Sequence, residues 1–165
     1  MKELLEKVNV HKILRYALFV FLTLMAQNMV FGRLRLFGVS PMILPAAAAA
    51  LGMFEGATWG PVICLFMGYF ADMSFVENSI FFLLLLPVLS LLSAFVSQFF
   101  INRRFFAFMG ITLAELLITA LLQMLKTLAG DAWSLEMLKV VGLQTLVSLP
   151  PAALAYPLPA RWSRE

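Results

Sequence analysis

Cysteine, histidine and charged residues are scarce in this sequence. One cysteine, Cys64, and one histidine, His11, occur among its 165 residues. A single cysteine can form neither an internal disulfide nor the paired thiolates of a zinc site. His11 lies in the basic flank before the first apolar run, so no Ser-His-Asp set is predicted around it. The HExxH motif needs two histidines, and no glycine-rich phosphate loop occurs either. The sequence therefore predicts no catalytic residue, no metal site and no cofactor.

Charged residues make up only 13% of the chain, whereas soluble domains carry about 25%. Hydrophobic residues make up 62%, and the mean hydropathy is +0.94. A soluble fold of this size could not bury so much apolar surface, but a lipid bilayer accommodates it. The formal net charge is +3, yet the basic residues are divided among the ends of the apolar runs, which argues against nucleic-acid binding. We therefore expect one membrane domain over residues 1–165.

Six apolar runs come close to the length of about 20 residues that a helix needs to cross the hydrocarbon. Backbone groups in lipid must be paired within the protein, so spans are either helices or strands of a closed barrel. The runs lack the two-residue alternation of barrel strands. The first run is longer than the apolar part of a signal peptide and is interpreted as a retained span. We predict an all-α bundle of about six transmembrane helices, at residues 13–31, 39–54, 58–74, 79–101, 105–125 and 138–158.

The second run is the weakest of the six. It is short, it ends at Glu55 and Gly56, and five consecutive alanines make it only mildly hydrophobic. Such a segment could be tilted, shielded by neighbouring helices, or re-entrant. If it does not cross, the two termini lie on opposite sides of the membrane.

The distribution of Lys and Arg predicts the orientation of the chain, because cytoplasmic flanks carry an excess of both. With six spans and a cytoplasmic N-terminus, eight of the 12 basic residues fall on the cytoplasmic side and four on the outer side. Both termini are therefore expected in the cytoplasm. The cytoplasmic set is Lys2, Lys7, Lys12, Arg15, Arg103, Arg104, Arg161 and Arg164, and the outer set is Arg33, Arg35, Lys126 and Lys139.

Small residues recur at four-residue spacing through the second and third runs, and this series ends at Asp72. Such spacing creates a flat helix face on which backbones can approach closely in lipid. The two runs could pack against each other through this face, or a partner helix could bind it. The candidate helix-packing or partner face consists of Gly52, Gly56, Gly60 and Gly68.

Two carboxylates are candidate functional polar residues, since carboxylates inside a membrane are costly. Asp72 lies near the outer end of the third run, where it could cap the start of the fourth or have a functional role. Glu115 lies in the middle of the fifth run without a basic residue at its depth. We predict that Glu115 faces the bundle interior uncharged; an ion, ligand or partner site is the alternative. The candidate hydrogen-bond donors are Thr112, Thr119, Gln144 and Ser148.

The stretch Gly38-Val39-Ser40-Pro41-Met42-Ile43-Leu44, the spaced glycines, Gly68-Tyr69-Phe70-Ala71-Asp72 and the basic turn Asn102-Arg103-Arg104 resemble the rod shape-determining protein MreD family. The chain departs from the family pattern in having no glycine at residues 73–79. The resemblance implies a non-enzymatic scaffold of the bacterial cell-wall elongation machinery, the elongasome, which supports peptidoglycan synthesis and cell shape. It also implies an MreC-like single-span partner in the cell membrane, and through it peptidoglycan synthases and an actin-like filament.

The substrate-binding S component of energy-coupling-factor vitamin transporters is similar in size, span number and glycine content of the second and third spans. A vitamin-binding component should hold a closed polar and aromatic pocket near the outer face. A scaffold should instead show a groove or a small-residue face open to lipid, and no small-molecule ligand is expected for it. A channel or ion transporter would need several polar residues converging with Glu115.

Overall fold

The computed structural model describes residues 10–35, 38–74, 80–99, 105–128 and 135–162, and within these ranges the regular structure is helical, without a strand. Helix α1 is Val10–Met25 and continues as a π-helical turn, Ala26–Phe31. Helix α2 is Leu44–Ser74, α3 is Phe81–Phe99 and α4 is Phe105–Leu128. Helix α5 is Leu135–Ala152, followed by a 3-10 turn, Ala153–Ala155, and helix α6, Pro157–Trp162.

Five helical stretches in the described ranges are long and apolar enough to cross a membrane, at Lys12–Phe31, Leu44–Ser74, Phe81–Phe99, Phe105–Met124 and Leu138–Trp162. The chain is therefore a helical, multi-span membrane protein, as the sequence predicts. Six separate spans are not confirmed, because the second and third apolar runs follow each other in one stretch, α2, with only Gly56 non-helical between them.

Helix α2 folds back on itself at Gly56. This glycine has φ 78° and ψ −171°, a conformation that L side chains rarely adopt. A Cβ placed on Gly60 would lie 3.1 Å from the Cα of Gly52, whereas in a straight helix the two residues would be about 12 Å apart. Helix α2 therefore consists of two arms packed side by side, residues 44–55 (α2a) and residues 57–74 (α2b).

The first arm begins at Leu44 and not at residue 39, where the sequence pattern predicted its start. Residues 38–43 are non-helical, and Gly38 has a positive φ of 85°. Pro41 lacks an N–H and disfavours helical geometry at the residue before it. Pro45 suits the first turn of a helix, where its missing N–H has no partner in any case. Pro41 therefore disfavours a helix that continues through residues 39–41, and Pro45 fits the first turn of a helix that begins at Leu44.

Arm α2a is the most enclosed element of the described chain. Every residue from 44 to 54 is buried, and Ala46 to Ala50 are 0% exposed. One side of the arm packs with α1, α2b and α3 through Ala47, Ala48 and Leu51, whereas the other side packs with α4 and the C-terminal helices. Because protein surrounds it, the arm does not need strongly hydrophobic side chains. The structure therefore shows the shielding by neighbours that was one of the options for the weak second run.

Aromatic contacts join the two terminal helices at one end of the bundle. The Trp162 ring lies edge-on to the ring of Tyr16, with centroids 5.5 Å apart, and to that of Phe19 at 6.3 Å. The first turns of α1 and the end of α6 therefore lie at the same end of the molecule.

Candidate functional site

Three of the four candidate glycines, Gly52, Gly60 and Gly68, lie in contacts between the chain's own helices, and Gly56 forms the turn between them. A Cβ on Gly52 would overlap the backbone of Ser90, and one on Gly68 would overlap the backbone of Phe82. These two glycines therefore let the arms of α2 approach α3 at backbone distance. Gly60 lies between the arms, where a Cβ would be 2.8 Å from Ser90 Oγ. Gly56 has open space around its Cα and is needed for the turn instead.

Asp72 caps the start of the next helix, one of the two roles expected for it. Its Oδ1 accepts a hydrogen bond from the N–H of Phe82 at 3.1 Å, and its Oδ2 accepts one from the N–H of Leu83 at 2.8 Å. The first N–H groups of a helix have no partner within it, and the positive end of the helix dipole favours a carboxylate there. Gly68, one turn earlier, allows the approach that brings Asp72 to α3. The Gly68-x-x-x-Asp72 motif thus joins α2b to α3.

Glu115 lies in the bundle interior, 3% exposed, but its partner is not one of the predicted donors. The hydroxyl of Ser93, on α3, donates a hydrogen bond to Glu115 Oε1. Among the predicted donors, Thr119 bonds to the backbone carbonyl of Glu115 at 2.8 Å, and Thr112 Oγ1 has no partner among the described residues. The predicted donor Ser148 bonds elsewhere: its Oγ accepts a hydrogen bond from the N–H of Met42 at 2.9 Å.

A seam of buried polar side chains connects α3 and α4 around Glu115. Each helix contributes three side chains at three- or four-residue spacing, so they share one face. Three of the polar atoms in this seam, Ser90 Oγ, Thr112 Oγ1 and Glu115 Oε2, have no hydrogen-bond partner among the described residues. Across the described part of the chain, no cluster of His, Cys, Asp and Glu could hold a metal ion. The seam consists of Ser90, Ser93, Ser97, Thr112, Glu115 and Thr119.

Glu55, interpreted from the sequence only as the end of the second run, anchors α1 to the tip of α2. Its Oε2 lies 2.7 Å from Lys12 Nζ, and its Oε1 accepts a hydrogen bond from the hydroxyl of Tyr16. The Glu55 side chain is 4% exposed, whereas that of Lys12 is 53% exposed. Lys12 and Tyr16 lie one turn apart on α1, a spacing that could have indicated a shared polar partner.

Gln27 holds the opposite end of α1 against the non-helical residues that precede α2a. Its Oε1 accepts a hydrogen bond from the N–H of Ile43 at 2.8 Å, and its Nε2 lies 3.4 Å from the carbonyl oxygen of Pro41. Ser148 Oγ meets the N–H of Met42 in the same segment. Backbone polar groups outside a helix must find such partners at membrane depth. Helix α1 is therefore attached near both ends by polar contacts.

An apolar groove separates α1 from α2b between these two attachments. It has a volume of about 990 Å³ and extends from Lys12 to Asn28 along α1 and from Trp59 to Ser74 along α2b. Its walls carry large side chains that are only partly covered: Phe21 is 59% exposed, Phe66 58% and Met73 67%. The groove is partly open, and both of its walls belong to helices long and apolar enough to cross a membrane.

The chain matches no protein-family model, no curated protein and no solved structure. The resemblance to MreD proteins thus rests on the residues that carry it. Those from Gly38 to Asp72 occupy the entry to α2a and the two arms of α2. The basic turn Asn102-Arg103-Arg104 lies outside the described residues.

Proposed function

We propose that this protein is a non-enzymatic membrane scaffold of the bacterial cell-wall elongation machinery, binding an MreC-like partner in the cell membrane. The observation that carries this proposal is the groove between α1 and α2b. A scaffold built mainly of membrane helices recognises its partners through helix faces and short loops, and helix-in-groove packing is a recurrent way to do so.

The form of the groove favours a protein partner over a vitamin. Small-molecule sites enclose most of their ligand and place a few polar groups around it. This groove is partly open, and its middle is lined by apolar residues, including Val20, Phe21, Val62 and Phe66. Its polar residues lie at the ends, which suits an apolar occupant that runs the length of the groove.

The residues that resemble the MreD family build the surroundings of this groove. Gly56 turns the chain between the two arms, and Gly68 with Asp72 attaches α2b to α3. These contacts fix the wall of the groove that α2b forms. The resemblance and the groove therefore support the same proposal, one from sequence and one from geometry.

The same proposal includes six crossings with both termini in the cytoplasm. Arm α2a runs antiparallel to α1, from Gln27, which bonds to Ile43, to Tyr16, which bonds to Glu55. Counting the two arms as separate crossings gives an even number, which agrees with the contact between Tyr16 and Trp162 at one end of the bundle. Reporter fusions at the two termini should both be cytoplasmic, and an outer C-terminus would contradict this topology.

Depletion of the protein in a rod-shaped bacterium tests the function. Rounded cells, together with recovery of an MreC-like protein in a pull-down, are the expected result. Normal cell shape, with co-purification of a bound vitamin or of an energy-coupling membrane partner, would overturn the proposal in favour of the vitamin-transport alternative.

A further inference from the structure

The groove between α1 and α2b presents aromatic and methionine side chains, such as Phe21 and Phe66, together with aliphatic ones. Aromatic and methionine side chains are enriched at the centres of protein interfaces. The exposed surface of α3 carries aliphatic residues such as Leu84, and it also carries Phe95 and Phe99. Large, partly exposed aromatic residues in a concave surface are typical of positions that dominate binding energy.

The ends of the groove indicate an occupant that crosses the membrane. Lys12 and Glu55 lie at one end, and Asn28 and Ser74 lie at the other. Between them α1 covers about 24 Å, close to the thickness of the hydrocarbon. A phospholipid has one polar end and reaches through about half of the bilayer, whereas a transmembrane helix has polar flanks at both ends.

The width of the groove would accommodate the side chains on one face of a helix. A volume of about 990 Å³ over about 24 Å corresponds to a channel roughly 7 Å wide, which is narrower than a helix of about 10–12 Å. A helix would therefore lay one row of side chains into the groove at positions i, i+4 and i+7.

We propose that the single transmembrane helix of an MreC-like partner binds in this groove, between α1 and α2b. This inference rests on the proposed function and adds the place and the mode of binding. The partner inserts one row of apolar side chains between Phe21 on α1 and Phe66 on α2b. Its polar flanks lie beside the Lys12–Glu55 pair at one end and Asn28 at the other.

Site-specific photocrosslinking of the full-length chain in cells tests the position of the partner. The photoreactive residue p-benzoylphenylalanine replaces Phe66 in the groove or, as a matched control, Leu84 on the exposed face of α3, outside the groove. Both side chains are well exposed, at 58% and 67%. A crosslink to the transmembrane segment of the MreC-like protein from position 66, and none from position 84, is the expected result.

Filling the groove provides a second test that does not depend on crosslinking. Ala17 lines the groove and is exposed, so Ala17→Trp should block the occupant and lower recovery of the MreC-like protein about tenfold. Ala114 is equally exposed on α4, away from the groove, and Ala114→Trp should leave recovery unchanged. Thermal unfolding in detergent shows whether both variants fold as the wild type does.

The possible outcomes separate the two proposals. If the MreC-like protein co-purifies but crosslinks only from position 84, or binds Ala17→Trp normally, the groove assignment is wrong and the scaffold function stands. If the wild-type chain recovers no MreC-like protein, the proposed function is wrong, and this inference with it. Crosslinks from position 66 to lipid only, or to a second copy of this chain, would also overturn the groove assignment.

Discussion

The two sides of arm α2b differ in what they contact and in the residues that they carry. One side carries Gly60 and Gly68 and meets α2a and α3 at backbone distance. The other side carries Phe66 and Met73, each more than half exposed, and forms one wall of the groove. Lipid provides no hydrophobic drive for helix association, so close backbone contact is what holds the first side. Substitutions on the packed side should therefore cost stability, whereas those on the groove side should affect partner binding.

Replacement of Gly68 should have the largest effect. The Leu side chain in Gly68→Leu would overlap the backbone of Phe82 and Leu83, which cannot move away as a flexible side chain could. We expect a loss of about 3 kcal/mol or more and poor accumulation in the membrane, measured by thermal unfolding and by expression level. Gly110→Leu on α4 is the matched control, because nothing lies within 4 Å of a Cβ at that position. Normal stability of Gly68→Leu would show that the packed side is not what holds α2b.

Glu115 in the seam between α3 and α4 should show the next largest effect. Glu115→Leu would leave the buried hydroxyl of Ser93 without an acceptor, at a cost of about 1–3 kcal/mol. Glu115→Gln retains both shape and an acceptor, so it should be nearly silent in thermal unfolding and in cell shape. A severe defect in the Gln variant would mean that the charge of Glu115 is required, which favours a transport role.

Asp72 should give a smaller loss, because it caps α3 and does not hold a buried interior contact. Asp72→Ala removes the acceptor of the Phe82 and Leu83 N–H groups and should cost about 0.5–2 kcal/mol in thermal unfolding. Asp72→Asn retains one acceptor and should lie between Ala and the wild type. Equal stability of all three proteins would contradict the capping role.

The helical content and the positions of most helices could be predicted from hydrophobic runs, because a bilayer imposes the length and polarity of each span. The break between the second and third runs at Glu55 and Gly56 could also be predicted, because the apolar pattern is interrupted there. The positive φ of Gly56 and the close packing of the two arms depend on tertiary contacts, which the spacing of the glycines does not specify. The start of α2a at Leu44 could have been predicted from the sequence, because Pro41 disfavours a helix before it and Pro45 suits its first turn.

The contacts of the polar residues were harder to predict than their positions. Glu115 was identified from its depth, but four hydroxyl or amide groups on two helices were plausible donors, and Ser93 was not among them. Its position three residues after Ser90 and four before Ser97 was the available signal. The role of Glu55 also depends on the fold, because only the reversal of α2 brings this residue to Lys12 and Tyr16.

The smallest effect on stability should come from the groove side of α2b. Phe66 is 58% exposed toward the groove, so Phe66→Ala removes few contacts within the chain and should change the free energy of unfolding by less than about 0.5 kcal/mol. Phe108, which is 0% exposed in the core beside α2a, is the matched control. Phe108→Ala leaves a cavity and should cost about 3–5 kcal/mol. Thermal unfolding of the two variants, purified without the partner, measures this difference directly. A large loss in Phe66→Ala would mean that Phe66 supports the fold itself. The two sides of α2b would then differ in composition but not in role, and weaker partner binding in this variant would no longer identify the groove as the binding site.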